Sequence, residues 1–163
     1  MRFLEHVKIG EIVSIGSYTF TADNIKSFAS RYDPHPFHLD EDAASRSLFK
    51  KLTASGWHTA SVWMRLMVDH RRREAEARQA RGEAVPKNGA GAGFRDLQWR
   101  RPVYVGDTIS YTAEAVEVRQ LNSRPGWGLT STRAVGTNQH GEVVISFITT
   151  GIFQWAPEPT KPT

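Results

Sequence analysis

The sequence contains no cysteine among its 163 residues. This absence excludes disulfide bonds, thiolate metal ligands and a cysteine nucleophile. No stretch reaches the roughly 18 consecutive apolar residues that a membrane-spanning helix needs. The residues after Met1 lead into no apolar run, which argues against a signal peptide. We therefore expect a cytoplasmic protein without a membrane partner.

Acidic residues are outnumbered, with 17 Asp and Glu against 21 Lys and Arg, for a formal net charge of +4. A basic surface attracts an anionic partner but does not identify it. Nucleic acid, a phosphorylated cofactor and an acidic carrier protein all fit, and so does a surface that is simply basic. The charged segment Arg71–Arg78 is best explained as a solvated helix end. Since base-reading motifs and interleaved aromatic residues are missing, we expect no nucleic-acid partner.

The chain length suits one domain, which we place at residues 1–155. The last eight residues, 156–163, include three prolines and are predicted to be a flexible tail.

The first third of the chain predicts one strand followed by short helices. Ile12–Phe20 is β-prone and partly alternating. Thr21 can cap a helix that Pro34 and Pro36 must end, because proline lacks the backbone N–H. Asp40–Ser47 predicts a second short helix.

The segment Trp57–His70 predicts the main helix of the domain. One face carries Trp57, Ala60, Trp63, Met64, Met67 and Val68, and the opposite side carries Val62 and Leu66. A helix that is apolar on nearly all sides should be buried on nearly all sides. We expect Trp63 and Met67 in the core.

The second half of the chain predicts antiparallel strands, namely Phe94–Val105, Ile109–Ala115, Trp127–Arg133 and Val143–Phe153. Gly89–Gly93 lacks the setting of a phosphate loop and is interpreted as a flexible connector. Helices segregated from a run of strands indicate an α+β fold. A curved antiparallel sheet wrapped around one long central helix corresponds to a hot-dog fold. Such a sheet leaves edges to cover, which favours a homodimer.

The densest polar chemistry lies between Tyr32 and Asp40, on a segment stiffened by two prolines. Asp33 and His38 lie five residues apart and could act as a general acid–base pair on one water molecule. Alternatively, Asp33 stabilises the turn and His38 is a hydrogen-bonded loop histidine. A metal site of His35, His38 and Asp40 is a third interpretation.

A second polar segment, Ser55-Gly56-Trp57, precedes the main helix. Ser55 can cap this helix, which would leave the backbone N–H groups of Gly56 and Trp57 free. Donors at a helix N-terminus favour negative charge and could hold a thioester carbonyl as it gains enolate character. An ordinary helix start would have the same residue types.

Three segments together resemble a known family. Asp33–His38 resembles the Asp-x-Asn-Pro-x-His signature of MaoC-like hydratases, the (R)-specific enoyl-CoA hydratase family. Ala54–Trp57 is similar to that family's entry to the central helix, and Gly93–Val103 with Gly106-Asp107 resembles its strand ending in Arg-Pro-Val and Gly-Asp. The three segments occur in family order and cover about half of the chain.

The resemblance implies a hydro-lyase that reversibly hydrates a 2-enoyl-CoA to a 3-hydroxyacyl-CoA. Asp33 and His38 match the catalytic pair, and Gly56 matches the donor to the thioester carbonyl, with Ser55, Trp57 and His35 also at the substrate. Family members act on acyl-CoA, usually as dimers, with no metal or redox cofactor. His35 departs from the family, which has Asn at this position.

Two other functions fit the same sequence. A hot-dog thioesterase would also use a carboxylate and a helix N-terminus, and a non-catalytic acyl-CoA-binding module would need no acid–base pair. For the phosphates of coenzyme A the sequence offers four arginines, Arg95, Arg100, Arg101 and Arg124.

Overall fold

Five antiparallel strands and one long helix make up most of the computed structural model, which describes residues 7–154. The predicted flexible tail lies outside the described residues. In chain order the elements are β1 (Ile12–Thr19), α1 (Ala22–Tyr32), α2 (Pro36–Leu39), α3 (Glu41–Arg46), α4 (Gly56–Ala80), β2 (Lys87–Trp99), β3 (Thr108–Gln120), β4 (Trp127–Thr137) and β5 (Val143–Gln154).

The sheet has the order β1-β3-β4-β5-β2 and is antiparallel throughout. Register shifts interrupt every pairing, and three of them fall in β2. Bulges of this kind bend a strand and increase its twist, which lets the sheet curve around α4. The α+β architecture predicted from the sequence is therefore present.

The glycine-rich stretch Gly89–Gly93 was expected to be a flexible connector, and this is wrong. It lies in β2, paired with β5. Alternating glycine and alanine gives little β propensity, so the sequence signal is weak and the pairing with β5 fixes the strand. Since β2 is an edge strand of the sheet, its outer edge has no neighbouring strand within residues 7–154.

Both short helices predicted before the main helix are present, and each begins at a capping side chain, of which the Thr21 cap was predicted. Thr21 accepts a hydrogen bond from the Asn24 amide (3.3 Å) at the start of α1, and Asp40 accepts one from the Ala43 amide (2.7 Å) at the start of α3. Helix α2, a single turn that begins at Pro36, was not predicted from the sequence. Proline suits this first helical position, where its missing N–H costs nothing.

Helix α4 packs one face on the sheet and leaves the other face open. Trp63 and Met67 are buried as expected, with 1% and 9% exposure. Trp57, Met64 and Val68 remain 48–53% exposed, so the expectation of burial on nearly all sides is wrong for the single chain. The sheet covers one side of a helix only, and apolar residues on the other side need a different partner.

The second half of α4 is charged and continues beyond His70 to Ala80. The sequence analysis predicted this charged end of the helix. Asp69 pairs with Arg65 (2.8 Å) and Arg72 (3.1 Å) on its surface. Among the helices within residues 7–154, none combines the length and the apolarity needed to span a membrane.

Candidate active site

A tight turn after α1 brings three polar side chains together. Asp33 ends the helix, with its N–H bonded to the Ala29 carbonyl (2.9 Å), and its own carbonyl accepts the His35 amide (2.8 Å). One carboxylate oxygen of Asp33 lies 2.5 Å from Nδ1 of His35, and the other lies 3.4 Å from Nε2 of His38. The expected approach of Asp33 and His38 across the proline turn is present, with His35 as a third member.

His38 is held in a single tautomer by its other ring nitrogen. Nδ1 lies 2.6 Å from the backbone carbonyl of Thr53, and a carbonyl can only accept. Nδ1 therefore carries a proton, and Nε2 is the ring nitrogen that faces the Asp33 carboxylate and can exchange a proton with it. His38 is only 6% exposed, so this geometry is fixed by its surroundings.

The Asp33 carboxylate is kept ionised by its neighbours. Partial burial by itself would raise its pKa. Hydrogen bonding from Ser55 and His35, together with the adjacent imidazole of His38, outweighs this effect, so the pKa of Asp33 is lower than usual for the residue type. Near neutral pH the site contains a carboxylate that can accept a proton.

The segment before α4 supplies the second wall of the site. Ser55 is 1% exposed and caps the helix, with its Oγ accepting the Trp57 amide at 3.2 Å. The Trp57 N–H is therefore engaged, in contrast to the expectation that it is free. Gly56 is the first residue of α4, where an N–H has no intrahelical partner. Of the two amides, that of Gly56 is therefore the one that could donate to a substrate carbonyl.

Gly56 cannot carry a side chain in this arrangement. A Cβ at this position would lie 2.4 Å from the Trp99 indole. Trp99 in turn packs edge-on against Trp57, with ring centroids 5.0 Å apart. The glycine therefore lets the end of β2 close over the start of α4.

Two contributors to the site were missed from the sequence, the Thr53 carbonyl and the Trp99 indole. Thr53 is held by a hydrogen bond from its Oγ1 to the Val103 carbonyl (2.9 Å) and by a β-bridge to Tyr104. The residues Thr53 and Trp99 stand 15 and 61 positions from His38. No local sequence signal could have revealed contacts over such separations.

His58 is a buried histidine that the sequence analysis did not single out. It stacks on Phe28, with centroids 4.5 Å apart and rings 5° from parallel, and meets Phe20 edge-on. Burial lowers its pKa to about 4. It therefore packs as a neutral aromatic ring at the start of α4.

The alternative metal site is not assembled. Asp40 uses a carboxylate oxygen to cap α3, and His38 Nδ1 is bonded to Thr53. In the part of the chain that the structure describes, no three His, Asp or Glu side chains are grouped to hold a metal ion.

The four arginines considered for coenzyme A all have local partners. Arg95 pairs with Asp96 (2.7 Å), Arg101 contacts Glu142 (3.4 Å), Arg100 donates to Ser146 (3.2 Å), and Arg124 stacks on Trp127 (4.0 Å). The structure singles out none of them as a phosphate ligand.

Fold and site together define a hot-dog protein with a carboxylate–imidazole pair at the start of its central helix. The family model for the MaoC-like domain matches residues 6–134. The chain therefore belongs to the MaoC-like domain family, as the sequence motifs predicted.

Solved structures confirm the fold. The MaoC-like dehydratase from Rhodospirillum rubrum is 34% identical, with a TM-score of 0.78 over 95% of this chain and 98% of that one. The (R)-hydratase PhaJ1 from Pseudomonas aeruginosa shares the fold at 20% identity, with a TM-score of 0.62 over 99% and 96% of the two chains.

Two curated proteins are also similar. The uncharacterized protein YdeM of Bacillus subtilis is 32% identical over 76% of this chain and 79% of its own length. The mitochondrial 3-hydroxyacyl-[acyl-carrier-protein] dehydratase FERN of tomato is 26% identical, and the match spans 72% of this chain and 62% of the tomato protein.

Proposed function

We propose that this protein is a hydro-lyase that interconverts a 2-enoyl thioester and its 3-hydroxyacyl thioester, with coenzyme A as the thiol carrier. The observation that carries the proposal is the 3.4 Å approach of Asp33 Oδ2 to His38 Nε2. They are a carboxylate and an imidazole in direct contact, at the start of α4, where Gly56 is the first residue. The similarity to a 3-hydroxyacyl-[acyl-carrier-protein] dehydratase supports the same reaction class.

The two groups divide the addition of water between them. Ionised Asp33 accepts a proton from water, whose oxygen bonds to the β-carbon of the enoyl group. Protonated His38 gives its Nε2 proton to the α-carbon, while Nδ1 keeps its own proton on the Thr53 carbonyl. Asp33 then returns its proton to His38 across the 3.4 Å contact, and both groups regain their starting states. Positioned acid–base groups of this kind contribute about 10²–10⁴ in rate.

The start of α4 would bind the thioester. As the α-carbon gains negative character, the charge spreads to the carbonyl oxygen, where the Gly56 N–H and the positive end of the helix dipole would stabilise it. Ser55 supports Asp33, and Trp57 with Trp99 would form an apolar wall. No step of this scheme calls on a metal or a redox cofactor.

A panel of enoyl-CoA substrates tests the reaction. We expect loss of the conjugated thioester absorbance without release of free thiol, and we expect the same rate after treatment with a metal chelator. Thiol release would instead identify a thioesterase, and saturable binding without either change would identify a binding module. Tightly bound metal at one ion per chain would instead support the metal site of His35, His38 and Asp40.

The functional unit is proposed to be a homodimer. The open face of α4 carries Trp57, Met64 and Val68, and Phe94 of β2 extends it, with its ring centroid 6.4 Å from that of Trp57. This face adjoins the outer edge of β2, which has no neighbouring strand among residues 7–154. Exposed apolar surface beside an open sheet edge is the pattern that protein interfaces cover. A second copy of the chain offers the same surface and could cover both.

Light scattering tests this assembly. We expect the mass of a dimer for the unmodified protein, and a monomer for Met64→Glu, because a carboxylate would be buried without a partner in the interface. Ile9→Glu is the matched control, since this exposed isoleucine precedes β1, the strand at the opposite edge of the sheet from β2. A monomeric unmodified protein would contradict the proposal, as would equal masses for both variants.

A further inference from the structure

We infer that His35 is a positioning residue that orients the Asp33 carboxylate toward His38 and adds a titratable positive charge beside it. This inference rests on the proposed roles of Asp33 and His38. It adds that the orientation and the ionisation of the Asp33 carboxylate depend on a third residue, outside the pair.

The three residues form a line from solvent to the interior. The His35 side chain is 64% exposed, that of Asp33 is 19% exposed and that of His38 is 8% exposed. His35 and His38 approach opposite oxygens of the same carboxylate, at 2.5 and 3.4 Å. A carboxylate held at one oxygen by a hydrogen bond cannot rotate freely, so the oxygen facing His38 stays in place.

The ring of His35 is itself fixed. It lies 5.3 Å from the Phe37 ring at an interplanar angle of 22°, which is a stacked contact. Its amide is bonded to the Asp33 carbonyl, and its carbonyl accepts the His38 amide (2.9 Å). The imidazole is thus oriented by both backbone and side chain, although most of it is open to water.

Charge is the property that distinguishes His35 from a simple donor. An amide side chain could supply an N–H to Asp33, but only an imidazole gains a full positive charge as pH falls through the range in which histidines titrate. Within residues 7–154 the titratable side chains that act on Asp33 are His35 and His38, and both favour its ionised form. His35 would therefore keep Asp33 ionised, and able to accept a proton, at more acidic pH.

The experiment compares three variants with the unmodified protein. His35→Asn keeps a donor and loses the charge, and His35→Phe keeps an aromatic ring and loses both. His140→Asn is the matched control, an exposed histidine in the turn between β4 and β5. The ionisation of Asp33 is followed by carbon-13 NMR of its carboxyl group without substrate, with Asp33→Asn used to assign the signal. The pH profile of kcat/KM is measured on the best enoyl-CoA of the panel.

We expect the Asp33 midpoint to move to higher pH in His35→Asn and further in His35→Phe, with no change in His140→Asn. The ratio of kcat/KM between the unmodified protein and His35→Asn should be near one at pH 8 and should grow on acidification. Below the midpoint it should approach about tenfold for each unit that the midpoint moves. Melting temperatures should stay unchanged, since His35 is exposed.

An unchanged Asp33 midpoint in His35→Phe would overturn the inference, and so would a ratio that is the same at every pH. The NMR titration needs no substrate, which separates the two proposals. A moved midpoint in a protein without hydratase activity would support the role of His35 and refute the proposed reaction. An active hydratase whose Asp33 midpoint does not move in the His35 variants would support the proposed reaction and refute the role of His35.

Discussion

Asp33→Asn should lower the turnover of enoyl-CoA hydration at least about 10²-fold, the scale of a positioned acid or base. Asparagine has nearly the same shape as aspartate, but its amide cannot accept the proton of the attacking water. Asp42→Asn, on the exposed surface of α3, is the matched control and should leave turnover unchanged. The measurement is kcat per folded molecule, with circular dichroism as the test of folding.

His38→Ala should reduce turnover on the same scale. It should also lower stability, because His38 is 6% exposed and its hydrogen bond satisfies the buried Thr53 carbonyl. Truncation leaves that carbonyl unpaired, at a cost of about 1–3 kcal/mol. His38→Gln can still donate to Thr53 but cannot act as an acid near neutral pH. It should therefore be folded and inactive.

The double variant Asp33→Asn/His38→Gln should be little slower than the slower single variant, because groups that act as one unit are not additive. Full activity in either single variant would refute the proposed mechanism. Independent, multiplying losses would show that the two groups do not share one proton-transfer step.

Trp63→Ala is expected to give the largest loss of stability in the domain, about 3–5 kcal/mol. The indole is 1% exposed, packs edge-on against Phe147 at 5.1 Å, and donates Nε1–H to the Thr112 carbonyl at 3.1 Å. It joins α4 to strands β3 and β5. The whole free energy of unfolding of a typical domain is about 5–15 kcal/mol, so this variant should be close to unfolding.

Chemical denaturation with urea measures the effect, supported by a melting temperature lowered by roughly 6–20 °C. Trp63→Phe is the graded control: it retains much of the ring and loses the hydrogen bond to Thr112, so its loss should be much smaller. Equal stability of Trp63→Ala and the unmodified protein would show that α4 does not depend on this contact with the sheet.

The sequence by itself determined most of the helices and strands and the turn that carries Asp33 and His38, but not α2 or the glycine-rich part of β2. Helical periodicity located α4 and its buried pair Trp63 and Met67, and the capping residue Thr21 located the start of α1. These signals are local, since they depend on propensity and on spacing within a few residues. The approach of Asp33 to His38 was also predictable, because two prolines restrict the few residues between them.

Only the tertiary structure decided which groups surround that pair. The tautomer of His38 depends on the carbonyl of Thr53, and the need for glycine at position 56 depends on the indole of Trp99. The glycine-rich stretch is a strand because it pairs with β5. The outer face of α4 is exposed because the sheet packs against only one side of the helix. These outcomes come from contacts between segments far apart in the chain, where geometry and burial outweigh local preference.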